Sequence, residues 1–116
     1  MLEIAVTNYM GEGYSIELQE TGRGRVTYWE SPYSERKVRG FVLSQARADV
    51  LINFLERKLR GSKAEFVNPN VLDGFRWSIT LKKVRETLAA RGINEYPPWW
   101  GEVLKTIEEI MGSPGF

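Results

Sequence analysis

The chain contains no histidine and no cysteine. Histidine is the usual general base of enzymes and the commonest metal ligand, so its absence excludes a Ser-His-Asp relay. The absence of cysteine excludes disulfides, thiolate nucleophiles and the common tetrahedral zinc sites. The two aspartates, Asp49 and Asp73, do not lie in loops with the ligand spacing of a calcium site. We therefore expect no enzymatic activity, no catalytic residue, no metal site and no cofactor.

A dominant charge of one sign is also missing, as are long apolar runs. Sixteen basic and fifteen acidic side chains leave a formal net charge of +1, so no overall field attracts nucleic acid or anionic lipid. No apolar run exceeds three residues, as at 41–43, which is far too short to span a bilayer. The first twenty residues contain four glutamates and no stretch of the signal-peptide type. We expect a cytoplasmic protein without a membrane partner.

The composition that remains is typical of a folded globular chain. Of the 116 residues, 42% are hydrophobic and 27% are charged. The length is that of one ordinary domain, and the sequence contains no internal repeat, low-complexity tract or interior linker. We expect a single domain over residues 1–111. The Gly-Ser-Pro-Gly-Phe end predicts a flexible tail over residues 112–116.

The first forty residues show the two-residue period of half-buried strands. Turns that contain glycine, at 11–13 and 21–24, separate the alternating segments. Such short connections are typical of an antiparallel meander. Strands are predicted at residues 2–7, 14–19, 26–29 and 38–43.

Two amphipathic helices are predicted. Ser44 is a favourable N-cap for the first helix, and Gly61 ends it. The second helix opens at Pro97-Pro98, where a missing N–H costs nothing. The apolar stripe of the first helix is expected to contain Ala46, Val50, Leu51, Phe54, Leu55 and Leu59. The apolar face of the second is expected to contain Trp100, Val103, Leu104, Ile107, Ile110 and Met111.

The region between the helices completes the expected sheet. A short strand is predicted at 64–67, a turn at Asp73-Gly74, and a clearly alternating strand at 75–82. Residues 83–91 fit either a strand or a helix ended by Gly92, and we favour the strand. The sequence thus predicts an α+β fold. Its antiparallel, meander-rich sheet would have five to seven strands, with two amphipathic helices packed on one face.

Short motifs for phosphate binding or acid–base chemistry are incomplete. Gly61-Ser62-Lys63 lacks the first glycine of a nucleotide-binding loop, and Gly22-Arg23-Gly24 lacks the third glycine of a dinucleotide fingerprint. A helix cap and a hairpin turn are the simpler interpretations. A carboxylate-based hydrolase would need two acids facing one cleft. The available pairs are Glu95 with Glu102, and Glu108 with Glu109.

Aromatic and basic side chains supply the candidate binding residues. Arg23 and Arg25 flank a predicted hairpin tip with Trp29 and Tyr33 nearby, an arrangement that single-stranded nucleic acid could stack on. Exposed tryptophan also dominates many protein interfaces. The alternative is that these aromatics pack under loops, and that the cations complement helix dipoles or keep sheet edges soluble. The full candidate set is Trp29, Tyr33, Arg23, Arg25, Tyr96 and Trp99.

One segment resembles a known pattern. Trp77-Ser78-Ile79, followed by Gly92-Ile93-Asn94-Glu95-Tyr96-Pro97 and a helix through Met111, is similar to a motif in small uncharacterised bacterial proteins. The resemblance covers about a third of the chain and implies no known activity. It implies that residues 83–91 pair with the preceding strand. From the residues themselves, we expect Gly92 to take a positive φ and Asn94 to bond turn amides.

Three functions remain open. The leading hypothesis is a small non-enzymatic binding module whose partner is another protein, of accessory, immunity or inhibitor type, and which uses surface aromatics and an unpaired sheet edge. The alternative is a nucleic-acid-binding domain that uses Arg and Lys clusters with interleaved aromatics. A carboxylate-based enzyme comes third. A homodimer is compatible with each of them.

Overall fold

The computed structural model describes residues 1–70 and 74–111, and over these residues it shows seven strands and two helices. The predicted α+β class is confirmed. The Asp73-Gly74 turn, the Met111 side chain and the tail at 112–116 lie outside the part that can be described. The elements are β1 (Leu2–Thr7), β2 (Gly13–Leu18), β3 (Arg23–Trp29), β4 (Lys37–Val42), α1 (Gln45–Arg60), β5 (Glu65–Val67), β6 (Arg76–Lys82), β7 (Thr87–Ile93) and α2 (Trp100–Met111).

All seven strands form one sheet in the order β4-β3-β2-β1-β6-β7-β5. The first four strands make the expected antiparallel meander, and β6 pairs with β1 from the other side. The sheet is mixed, because β5 pairs parallel to β7. The chain reaches β5 from the β4 edge through α1. At the far edge β5 runs in the same direction as β7.

The register places the apolar positions of neighbouring strands side by side. Leu2 lies between Leu18 and Leu81, and Ile4 lies between Ile16 and Ile79. Because side chains alternate across a strand, these residues share one face of the sheet. Both helices bury their apolar residues against this face. The opposite face, called the open face here, carries the alternate residues of each strand.

The boundaries of α1 agree with the prediction, but two residues of its predicted apolar stripe are not buried. The Ser44 hydroxyl accepts a hydrogen bond from the Arg47 N–H at 3.2 Å, and Gly61 ends the helix. Val50 is 58% exposed and Ala46 is also exposed. At 100° per residue these two side chains lie about 145–175° from the centre of the buried stripe. That stripe consists of Ala48, Leu51, Leu55 and Leu59.

The second helix also has a narrower buried face than expected. It begins at Trp100, after a turn in which the Trp100 N–H donates to the Pro97 carbonyl at 3.0 Å. Trp100, Val103 and Ile107 are buried, whereas Leu104 is 40% exposed. Within residues 1–70 and 74–111, neither helix has the length and apolarity that crossing a bilayer requires.

The ambiguous segment forms a loop and then a strand. Lys83 donates its N–H to the Glu86 carbonyl at 2.8 Å, which closes a loop over 83–86 before β7 pairs with β6. Gly92 does not take the expected positive φ, which Asn94 adopts instead at 61°. Gly92 lies inside β7, where a β-carbon would lie 2.1 Å from Nε1 of Trp77. A glycine is needed there because the indole packs directly on the strand backbone.

Candidate functional site

Two turns lie side by side at one end of the sheet, and together we call them the loop tip: residues 8–12 and 30–36. The first joins β1 to β2, and the second joins β3 to β4. They touch at Gly11, where a β-carbon would lie 2.5 Å from Cδ of Pro32. The Tyr28 hydroxyl donates to Oε1 of Glu12 at 3.3 Å and ties β3 to the first turn. The loop tip is therefore one connected surface.

The first turn is held by its own backbone and by Asn8. The Asn8 Oδ1 atom accepts hydrogen bonds from the N–H groups of Met10 at 2.9 Å and Glu12 at 3.0 Å. Gly11 takes a φ of 88°, which only glycine adopts without strain. This bracing leaves Tyr9 and Met10 pointing outward, each 70% exposed.

The second turn is built around Ser34. Its hydroxyl accepts from the N–H groups of Glu30 at 3.1 Å and Ser31 at 3.0 Å, and it donates back to the Ser31 carbonyl. The Arg36 guanidinium adds a hydrogen bond to the same carbonyl at 3.2 Å. The turn therefore has a defined shape, and it presents Tyr33 with 98% of its surface exposed.

Trp29 lies beside the loop tip on the open face and is half-buried. A β-carbon at the neighbouring Gly13 would lie 2.6 Å from Cζ2 of Trp29, so the indole packs directly against that backbone. The Arg36 guanidinium covers the ring at 4.5 Å from its centroid. This cation–π contact holds Arg36 in place and leaves part of the indole accessible.

The predicted basic residues lie at the other end of β3. Arg23 and Trp29 are six residues apart on this strand, which is about 20 Å. Arg25 donates from Nε to Oε2 of Glu17 at 2.8 Å, and this hydrogen bond raises the pKa of Arg25. The structure therefore does not bring Arg23 and Arg25 next to Trp29 and Tyr33, since the length of β3 lies between Arg23 and Trp29.

Tyr96 and Trp99 form part of an aromatic cluster at the start of α2. Tyr96 stacks between Phe75 and Trp100, with centroid distances of 4.1 Å and 4.8 Å. Trp99 meets Trp77 edge-on at 6.2 Å. These contacts fix the angle at which the chain enters α2. The alternative considered from the sequence, that these aromatics pack under a loop, describes them better than a free binding surface.

Tyr14 lies on the helix side of β2, and burial raises the pKa of its phenol, with a further contribution from Tyr96. A phenol with a raised pKa in the folded state stabilises the fold below the pKa of the unfolded chain. That stability is lost as the pH rises through the folded-state pKa.

We expect the free energy of unfolding to fall above about pH 10, and Tyr14→Phe to reduce this fall. Urea unfolding at about pH 8 and about pH 11 measures this fall in the free energy of unfolding. Tyr33→Phe, at an exposed tyrosine, is the control. An unchanged pH dependence in Tyr14→Phe would contradict the assignment.

The four carboxylates considered from the sequence, Glu95, Glu102, Glu108 and Glu109, are all exposed. Among the residues described, no group of three or more Asp or Glu side chains that could hold a metal occurs. Glu102 is paired with Lys58 at 2.6 Å. Glu108 and Glu109 are exposed on α2, as the polar-face interpretation expected.

The remaining basic clusters have acidic neighbours. Their ion pairs are Lys58 with Glu102, Arg60 with Glu86, Lys83 with Glu56, Arg91 with Glu65, and Lys37 with Glu30. Each pair removes a net positive charge that a phosphate backbone would otherwise meet. With the Arg25–Glu17 pair, six of the sixteen basic side chains thus have a carboxylate neighbour.

Sequence reasoning missed Tyr9 and Met10. The segment Asn8-Tyr9-Met10-Gly11 has the asparagine and glycine of a tight turn. Had the whole segment been placed in the turn, its two central side chains would have been expected at the tip. Comparison with family models and with curated proteins finds no match to this chain.

Proposed function

We propose that the protein is a non-enzymatic binding module and that it binds another protein through the loop tip. The observation that carries this proposal is the grouping of Tyr9, Met10 and Tyr33, all at least 70% exposed, on two braced turns that touch. Exposing such side chains costs free energy unless a partner covers them. The clustering therefore supports a docking surface more strongly than the same residues scattered would.

The chemistry of these side chains suits a protein partner. Tyrosine offers a large apolar ring and one hydroxyl at a low cost in side-chain entropy, and methionine adapts to irregular surfaces. Arg36 in the second turn, and Trp29 immediately before it, are of residue types that are enriched at interface centres. Because both turns are fixed by internal hydrogen bonds, little conformational entropy is lost on binding.

Nucleic acid is the less favoured partner. A phosphate backbone is best bound by a continuous path of cations, and carboxylates interrupt such a path at Arg25, Lys58, Arg60, Lys83 and Arg91. Of the predicted residues, Arg23 and Trp29 lie at opposite ends of β3, and the cation on the Trp29 ring is Arg36. A carboxylate enzyme has less support still, because Glu102 is engaged by Lys58.

Substitution at the tip tests the proposal. We expect Tyr33→Ser to weaken partner capture by about thirtyfold, which corresponds to the loss of about 2 kcal/mol at one interface anchor. Tyr9→Ser is expected to have an effect in the same direction. The measurement is quantitative capture of proteins from a lysate of the source cells, with the purified chain immobilised and nuclease added.

Val84 provides the matched control. It is 98% exposed like Tyr33, but it lies on the β6–β7 loop at the opposite end of the sheet. Val84→Ser should capture the same proteins as the unchanged chain, and all three variants should unfold at nearly the same denaturant concentration. Capture that disappears with nuclease, or that falls equally in the Val84 variant, contradicts the proposal.

A further inference from the structure

The strand β4 forms the long edge of the sheet. It pairs with β3 on one side, and no other strand of the described chain lies beyond it. Two of its apolar side chains are largely exposed, Val38 at 61% and Val42 at 76%. The other edge strand, β5, has only three residues. Among the residues described, β4 is therefore the edge with enough length to add another strand.

The hydrogen-bond pattern shows which residues of β4 face outward. Leu43 donates its N–H to the Gly22 carbonyl of the neighbouring chain segment at 2.8 Å. Backbone groups of an antiparallel strand alternate between its two sides, so Arg39 and Phe41 bond to β3 in the same way. The N–H and C=O groups of Val38, Gly40 and Val42 consequently point away from the sheet.

Gly40 lies at the centre of these three residues. A β-carbon there would have the Gly24 carbonyl oxygen at 3.8 Å as its nearest neighbour, an ordinary contact, so packing within the chain does not require glycine. A glycine inside a strand is destabilising relative to alanine, since it has more conformational freedom to lose on folding. Such glycines often mark a place where another backbone approaches closely.

We propose that β4 pairs antiparallel with β4 of a second copy of this chain, with the twofold axis at Gly40. In this register Val38 lies opposite Val42 of the second copy, and Arg39 lies opposite Phe41 of the second copy. The outward groups of Val38, Gly40 and Val42 then form about six hydrogen bonds across the axis. The two sheets join into one continuous sheet.

The sequence around Gly40 favours a second copy over an unrelated strand. Val-Arg-Gly-Phe-Val is nearly symmetric about its glycine, so each valine of one copy meets a valine of the other on the open face. The Arg39 guanidinium lies beside an aromatic ring on the helix side. A register centred on Arg39 would place two like charges directly opposite each other, which is unfavourable.

The absence of cysteine gives a direct test of the axis. In the proposed register the Cα atoms of Gly40 in the two copies are about 5.5 Å apart, within the range that a disulfide can bridge. Those of Val38 are about 13 Å apart and cannot be bridged. Under mild oxidation, Gly40→Cys should form a covalent dimer about tenfold faster than Val38→Cys or the exposed Val84→Cys.

A charge exchange tests the same register without a covalent bond. Val38→Lys/Val42→Lys places like charges opposite each other twice per dimer, and Val38→Lys/Val42→Glu places opposite charges there. Both positions are exposed in the single chain, so both variants should fold. We expect the dimer dissociation constant of the first variant to exceed that of the second by about tenfold in sedimentation equilibrium.

Three outcomes would overturn the proposal. The first is that the unchanged chain remains a monomer at concentrations up to about 1 mM, a limit for weak association. The second is that Val38→Cys cross-links as fast as Gly40→Cys, and the third is that the two charge variants have equal dimer dissociation constants. The loop tip is a separate surface, so Tyr33→Ser should leave the dimer intact and the charge variants should leave capture at the tip intact. Failure of one proposal can thus be distinguished from failure of the other.

Discussion

Replacing Trp77 with alanine is expected to lower the free energy of unfolding by about 3–5 kcal/mol, a large part of the about 5–15 kcal/mol typical of a folded domain. Trp77 is 2% exposed on the helix side of β6. Its ring contacts three other aromatic residues, with centroid distances of 5.1–6.2 Å. The small alanine side chain would leave a cavity that the rigid sheet cannot close.

The Trp77 indole also connects β6 to the segment that leads into α2. Its Nε1–H group donates to the Glu95 carbonyl at 2.6 Å. Trp77→Phe keeps most of the apolar volume but leaves this partly buried carbonyl without its donor. A smaller loss of about 1–3 kcal/mol is expected for that variant.

Trp29→Ala is the matched control for Trp77→Ala. Trp29 is half-buried on the open face and its main contacts are Arg36 and the Gly13 backbone, so the expected loss is below about 2 kcal/mol. Urea unfolding followed by far-UV circular dichroism measures all three variants, since removing tryptophan alters the fluorescence. Equal losses for Trp77→Ala and Trp29→Ala would show that the core is not centred on Trp77.

The strands were predictable because their pattern is local. Alternation at Leu2, Ile4 and Val6, and again at Trp77, Ile79 and Leu81, reflects a sheet that buries one face only. A two-residue period can be recognised within one strand, without knowing which strands are its neighbours in the sheet. The order of the strands could not be predicted, because the pairing of β1 with β6 joins residues that lie 69 to 79 positions apart in the sequence.

The site was less predictable than the fold, since it depends on contacts between distant turns. Tyr33 was expected to be a binding residue, and it is more exposed than Tyr9 and Met10, the other large apolar side chains of the loop tip. The contact of Pro32 with Gly11 arises because β2 pairs with β3 and brings their two turns together. The sequence does not reveal that pairing. Gly92 was correctly singled out from the sequence, but the reason given for it, a positive φ, was wrong. The glycine is required because the Trp77 indole packs against it, and a local sequence pattern contains no information about such a contact.

Leu51→Ala is expected to lower the free energy of unfolding by about 2–5 kcal/mol, whereas Val50→Ala should change it by less than about 0.5 kcal/mol. The two residues are neighbours in α1, but Leu51 is fully buried and Val50 is 58% exposed. The sequence pattern alone placed both on the buried stripe, since a run of apolar residues covers more than one side of a helix. Packing against the sheet selects one side, and alanine has the better helix propensity where valine is exposed. Thermal and urea unfolding of both variants at neutral pH measures the two changes in the free energy of unfolding. Comparable losses would mean that α1 is rotated about its axis from the orientation described.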